Sequence, residues 1–119
     1  ITQLGVQPAN IVMNVGTAAV GYGFEYVIST MDRVKAAALQ QGDANLQMPI
    51  ITPVASEAWG VKEAMASETD APEWGSQEER GIDMEVETAM AVIAAGSNAV
   101  ILKHPESIKI ISGLMKELV

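Results

Sequence analysis

Three short apolar runs punctuate the chain: Ile11-Val-Met13 ending at Asn14, Pro49-Ile-Ile-Thr52, and Asn98-Ala-Val-Ile-Leu102. Each is too short for a helix and none alternates polar with apolar, so the pattern predicts strands buried on both faces. Elsewhere the spacing is helical. Phe24, Val27, Ile28, Met31, Val34 and Ala38 keep a period of about 3.6 residues, with Glu25, Ser29, Asp32 and Arg33 off the stripe. The good helix formers Lys35-Ala-Ala-Ala-Leu39 follow, and Gly42 marks the stop. A second stripe, Val86, Ala89, Met90, Ile93 and Ser97, precedes the third strand. Asp83, Glu85 and Glu87 fall in its predicted first turn, where acids favour the helix dipole, and Gly96 closes it. Pro105 suits a first helical position, and Ile108, Ile111, Met115 and Leu118 carry an apolar face onward, weakened by Gly113.

The predicted order is strand, helix, strand, long loop, helix, strand, helix, which reads as βα units with parallel strands and right-handed crossovers. The long loop, Val54 to Arg80, holds both tryptophans and much of the acid; loops of that length commonly carry function. Three parallel strands alone leave both sheet edges open. The chain begins at Ile1, and a (β/α)8 barrel takes about 250 residues. We therefore expect an α/β fold in which residues 1–119 form about three C-terminal βα units of a TIM barrel, with a small doubly wound sheet as the second reading.

Composition narrows the chemistry. About half of the 119 residues are apolar, enough for one real core, and the chain has no cysteine, which removes disulfides, thiolate metal sites and iron-sulfur ligation from it. Without an apolar run long enough to span a bilayer, a cytoplasmic location is expected. The net charge of -8 is uneven: nine acids between Glu63 and Glu87 face Arg80 alone, leaving six acids and six bases elsewhere. An acidic face of this kind argues against nucleic acid and anionic membrane as partners and suits either solvent or a basic protein surface. Arg80 is expected to organise the loop through ion pairs with Glu78 or Asp83.

In parallel architectures ligands meet the loops at the carboxyl ends of strands, here Asn14 to Tyr26, Thr52 to Arg80 and Lys103 to Pro105. The glycine-rich stretch Gly16 to Tyr26, GTAAVGYGFEY, lies on that rim. It lacks the third glycine of a dinucleotide fingerprint and the lysine of a phosphate loop, and Glu25 in the first helical turn repels phosphate. Sharp turning and exposed amides at Gly23 explain the glycines better. Asn14 presents an amide to the rim or caps its own loop. His104, the single histidine, is an acid/base or ligand contact or a structural hydrogen bond, and with no second histidine a metal site is not expected. Trp59 and Trp74 are anchors for a flat ligand or partner if exposed, and core if buried. No carboxylate dyad, nucleophile with base, or metal cluster assembles from these positions, so no catalytic residue is assigned.

The ordered series Met13-Asn14, Gly21-Tyr-Gly-Phe-Glu-Tyr26, Met31-Asp-Arg33, Leu46-Gln-Met-Pro49, Glu57-Ala-Trp59, Lys62-Glu63, Glu73-Trp-Gly75, Arg80-Gly81, Glu87-Thr88 and His104-Pro105 resembles the small, or delta, subunit of the corrinoid iron-sulfur protein of the carbon monoxide dehydrogenase/acetyl-CoA synthase system. The resemblance covers nearly all of the chain and would match the C-terminal part of that subunit. It implies a (β/α)8 barrel, similar to pterin-binding methyltransferases, paired with a large subunit that carries an iron-sulfur cluster and a cobalt corrinoid. The corrinoid shuttles a methyl group from methyl-tetrahydropterin to acetyl-CoA synthase, and the small subunit shelters it as a noncatalytic platform. On this reading Asn14, Gly21, Tyr22, Gly23, Trp59 and His104 face the cofactor, which the large subunit binds, while methyltransferase and acetyl-CoA synthase dock transiently. The alternative is a pterin-dependent methyltransferase with Asn14 on the pterin ring.

Overall fold

A computed structural model describes residues 1–16 and 23–118. Among them are five helices, α1 (Phe24–Leu39), α2 (Val54–Ala58), α3 (Lys62–Met65), α4 (Gln77–Ala95) and α5 (Pro105–Leu118), but only two strands, β1 (Ile51–Pro53) and β2 (Ala99–Ile101). Short 3-10 turns lie at Thr2–Leu4, Pro8–Asn10, Ala44–Leu46 and Pro72–Trp74.

The barrel expectation is overturned. Among the described residues three βα units do not form; they make a small, mostly helical domain around a two-stranded parallel sheet in the register Ile51↔Ala99, Thr52↔Val100 and Pro53↔Ile101. The first apolar run contributes a single parallel bridge, Met13↔Ile50, through Met13 N–H to Pro49 O (2.8 Å) and Ile51 N–H to Met13 O (2.9 Å). Because successive residues of an extended chain point their polar groups to opposite edges, Met13 and β2 flank β1 on opposite sides. Pairing stays short because Pro53 has no N–H to continue the ladder and α2 starts at the next residue. Nor are the strands buried on both faces. Thr52 is buried, but Ala99 and Ile101 of β2 are exposed.

α1 follows its predicted stripe, with Val27, Met31 and Ala38 buried. α4 begins earlier than expected, at Gln77, because Ser76 caps it by accepting the Glu79 N–H, so the first-turn acids are Glu78 and Glu79 rather than Asp83, Glu85 and Glu87. Its buried face, Gly81, Glu85, Thr88, Ala89 and Val92, is rotated from the predicted one. Gly96, at φ 118°, turns the chain out of α4 with its N–H on Ile93 O and the next N–H, Ser97, on Val92 O.

Val27, Met31, Ile50, Val54, Ala58, Ala89, Val92 and Ile111 form the core, and α4 packs against α1, α2, α3 and α5. A hydroxyl pair is buried beside it: Thr52 Oγ1 and Ser97 Oγ lie 2.7 Å apart, and Ser97 also donates to Ala99 O at 2.9 Å. Asn98 locks β2 to β1 by accepting the Ile50 N–H (2.9 Å) on its side chain and donating its own N–H to Ile50 O (2.8 Å). On α5 only Ser107 and Ile111 are buried. Ile108 and Met115, expected inside, are 46% and 45% exposed and line an apolar groove of about 550 Å³ with Ile93, Val100 and Leu102.

The stretch read as a long loop folds into α2, α3 and the Pro72–Trp74 turn. Arg80 ties these pieces to α4, and it does so through carbonyls instead of the expected ion pairs. Its Nη1 donates to Glu63 O (2.6 Å) and its Nη2 to Ala66 O (2.9 Å), while the guanidinium sits 5.8 Å from the Trp74 ring centroid. Carbonyl acceptors at the end of a short helix need donors, and a forked cation serves two of them at once.

Candidate functional site

The parallel pairing puts the residues that follow Met13, β1 and β2 at one end of the sheet. Trp59 arrives there as the C-cap of α2, with its N–H on Ala55 O at 3.2 Å. His104 arrives at the junction of β2 and α5, where its Nδ1 accepts the Glu106 N–H (3.1 Å) and its carbonyl the Ile108 N–H (3.1 Å). The histidine thus caps α5.

A backbone N–H can only donate, so Nδ1 is the acceptor nitrogen and the ring proton sits on Nε2, which donates to Glu78 Oε1 at 2.9 Å. The Trp59 and His104 rings stack at 5.9 Å between centroids and 17° between planes, and Lys103 Nζ lies 5.5 Å from the Trp59 centroid. Trp59, Gln77, Glu78, Lys103, His104 and Pro105 line a cleft of about 380 Å³.

Beneath this wall lies Glu85, fully buried on α4. Its Oε2 accepts the Trp59 indole N–H (3.0 Å) and the Lys103 backbone N–H (2.8 Å), and its Oε1 accepts the His104 backbone N–H (3.1 Å). Burying a carboxylate is costly unless its lone pairs are used, and three N–H donors converge on this one. One turn earlier on the same helix face, Gly81 leaves room for the indole: a Cβ there would overlap Trp59 Cζ3.

Of the residues picked out from sequence, Trp59 and His104 come together. Asn14 is exposed and turned on its own loop, its Oδ1 accepting the Gly16 N–H at 2.8 Å, and it does not line the cleft. Gly23 caps α1 at its N-terminus, with the Glu25 carboxylate folded over it. Gly21 and Tyr22 lie outside the described residues. Trp74, half exposed, belongs to the Arg80 tether. Sequence reasoning missed Glu85 and Gly81. Their signal was present, because 81, 85, 88, 89 and 92 continue one helical face backward from Ala89, and a carboxylate on a buried stripe marks a spot where donors converge.

The fold and the cleft define a small helical α/β module that displays an aromatic and imidazole wall. Among the described residues no group of three or more His, Cys, Asp or Glu side chains is placed to hold a metal ion, and no helix is long and apolar enough to cross a membrane. Residues 1–116 match the family model CdhD, CO dehydrogenase/acetyl-CoA synthase delta subunit, and the chain belongs to this family. The family resemblance carried by the motif series is therefore correct.

Relatives include acetyl-CoA decarbonylase/synthase complex subunit delta 1 of Methanosarcina thermophila, 32% identical over 98% of this chain and 27% of the relative. The delta subunits of Archaeoglobus fulgidus and Methanopyrus kandleri are 34% and 37% identical over 92% and 94% of this chain, and 24% and 27% of their own lengths. The chain spans about a quarter of the length of these relatives.

Proposed function

We propose that this chain is part of the delta subunit of a corrinoid iron-sulfur methyl carrier. In this reading it shelters a cobalt corrinoid and supports methyl transfer between methyl-tetrahydropterin and acetyl-CoA synthase in cytoplasmic one-carbon metabolism. The observation that carries the reading is the family match across residues 1–116. That match favours the delta subunit over a free-standing pterin-dependent methyltransferase, and the one amide suggested for a pterin, Asn14, already accepts from its own loop.

The donor set does not fit a site that ligates cobalt. Both nitrogens of His104, the chain's single histidine, are engaged, one by Glu106 N–H and one by Glu78, and there is no cysteine. What the cleft offers is contact: a flat wall of Trp59 and His104 flanked by a carboxylate, an amide and an ammonium. This supports a division in which the large corrinoid iron-sulfur subunit binds the cofactor and its own cluster, and the delta subunit covers the assembly, with methyltransferase and acetyl-CoA synthase as transient partners.

Co-expression of the complete gene product with the large subunit tests the reading. The two are expected to purify together, with corrinoid absorbance in the complex and none in the delta subunit alone. A complete delta subunit that stays alone when mixed with its corrinoid-loaded partner would refute it. Calorimetric titration with methyl-tetrahydrofolate at near-millimolar concentration should release no binding heat from the delta subunit alone.

A further inference from the structure

We infer that Gly81 and Glu85 are positioning residues for the cleft: together they set the place and tilt of Trp59 and tie it to the His104 loop. Three segments distant in sequence meet at this point. Trp59 ends α2, Gly81 and Glu85 stand one turn apart on α4, and Lys103-His104 lead into α5. Gly81 supplies the space, since any side chain there would overlap the indole ring. Glu85 supplies the direction, since one of its oxygens takes both the indole N–H and the Lys103 N–H and the other takes the His104 N–H.

A single carboxylate therefore links the ring of Trp59 to the backbone that carries His104. The two rings can stay stacked only while both links hold. Glu78, a turn before Gly81 on the same helix, then meets His104 Nε2, so α4 presents space, acceptor and imidazole partner from one helix face. A carboxylate has the right chemistry and an amide does not. With three donors converging, replacing one oxygen by NH2 leaves at least one N–H facing another donor.

The test uses the complete gene product with nitrogen-labelled tryptophan, the Trp59 indole signal being assigned by Trp59→Phe. In the native protein this N–H is expected to exchange slowly with solvent. Glu85→Gln should speed its exchange by about tenfold or more and move its resonance toward that of a free indole. Gly81→Ala leaves Glu85 untouched and favours the helix, so a protein in which the space is irrelevant would gain stability and keep the Trp59 signal. The expected result is a displaced Trp59 signal in Gly81→Ala, with the global unfolding midpoint held.

Should Glu85→Gln fail to fold, Gly81→Ala decides by itself. An unmoved indole signal in that variant, or in a folded Glu85→Gln variant, overturns the assignment. A second measurement rests on the docking role proposed above: association with the corrinoid-loaded large subunit should weaken about tenfold in either variant. A displaced Trp59 with unchanged association keeps the positioning assignment and removes the cleft from the docking surface. Weakened association with Trp59 unmoved overturns the positioning assignment.

Discussion

Arg80→Ala removes a side chain that ties both α3 and the Pro72–Trp74 turn to α4. Two short hydrogen bonds from a charged donor, 2.6 Å to Glu63 O and 2.9 Å to Ala66 O, disappear together with the contact to the Trp74 ring. Hydrogen bonds to charged groups contribute roughly 1.5–3 kcal/mol each, and a cation over an exposed ring about 0.5–1 kcal/mol. The freed carbonyls can be rehydrated, and Gln77 still donates to Ala64 O and Met65 O, so the lower end applies. With both bonds and the ring contact at their lower ends, we expect local opening of α3 to become easier by about 3–4 kcal/mol.

Hydrogen exchange at the Ala64, Met65 and Ala66 amides reads this directly, because these N–H groups bond to Val61 O and Lys62 O only while α3 is formed. Exchange there should accelerate at least about 100-fold, while the Val92 and Ile111 amides stay protected. Arg80→Lys should recover part of the loss, since one ammonium replaces a two-pronged fork. Glu78→Gln and Asp83→Asn should leave these three amides unchanged, and raised salt should have little effect, because the acceptors are carbonyls rather than counter-charges. Acceleration of less than about threefold in Arg80→Ala, or a strong salt dependence in the native protein, would refute the tether.

Other perturbations separate the remaining elements of the fold. Gly96→Ala forces a side chain into φ 118° beside Lys35 and should destabilise by about 1–3 kcal/mol. Gly113→Ala, in α5 with open space around it, should stabilise by about 0.5–1 kcal/mol, and urea midpoints of the complete gene product compare the two. Met31→Ala empties a fully buried position and should cost about 2–5 kcal/mol by the same measurement. Met31→Leu there should cost less than about 1.5 kcal/mol. Ser97→Ala strands the buried Thr52 hydroxyl and should cost about 1–3 kcal/mol, whereas Thr52→Val leaves Ser97 bonded to Ala99 O and should cost about 1 kcal/mol. The reverse order would show that the pair is not held as described.

Features that depend on neighbours a few residues away were legible in the order of residues alone. The 3.6-residue stripe placed α1 and its buried Val27, Met31 and Ala38, Gly96 marked the end of α4, and Pro105 marked the start of α5. The ordered motif series identified the family. Trp59 and His104 were legible as site candidates because strand ends and rare side chains are local signals.

Tertiary structure decided everything that required knowing which distant segments meet. Apolar runs announce burial without saying how far a ladder extends. Pairing limited to three residues turned the predicted three βα units into a small helical domain. The charge of Arg80 suggested acids, but the folded backbone offered it carbonyls from residues 14 and 17 positions away. Glu85 read as an ordinary helix-dipole acid while its helix was placed too late. Its role exists only once partners 26, 18 and 19 positions distant bring their N–H groups to one buried carboxylate. Local periodicity carries no record of such meetings, because they are fixed by packing geometry and by the need to satisfy every buried polar group.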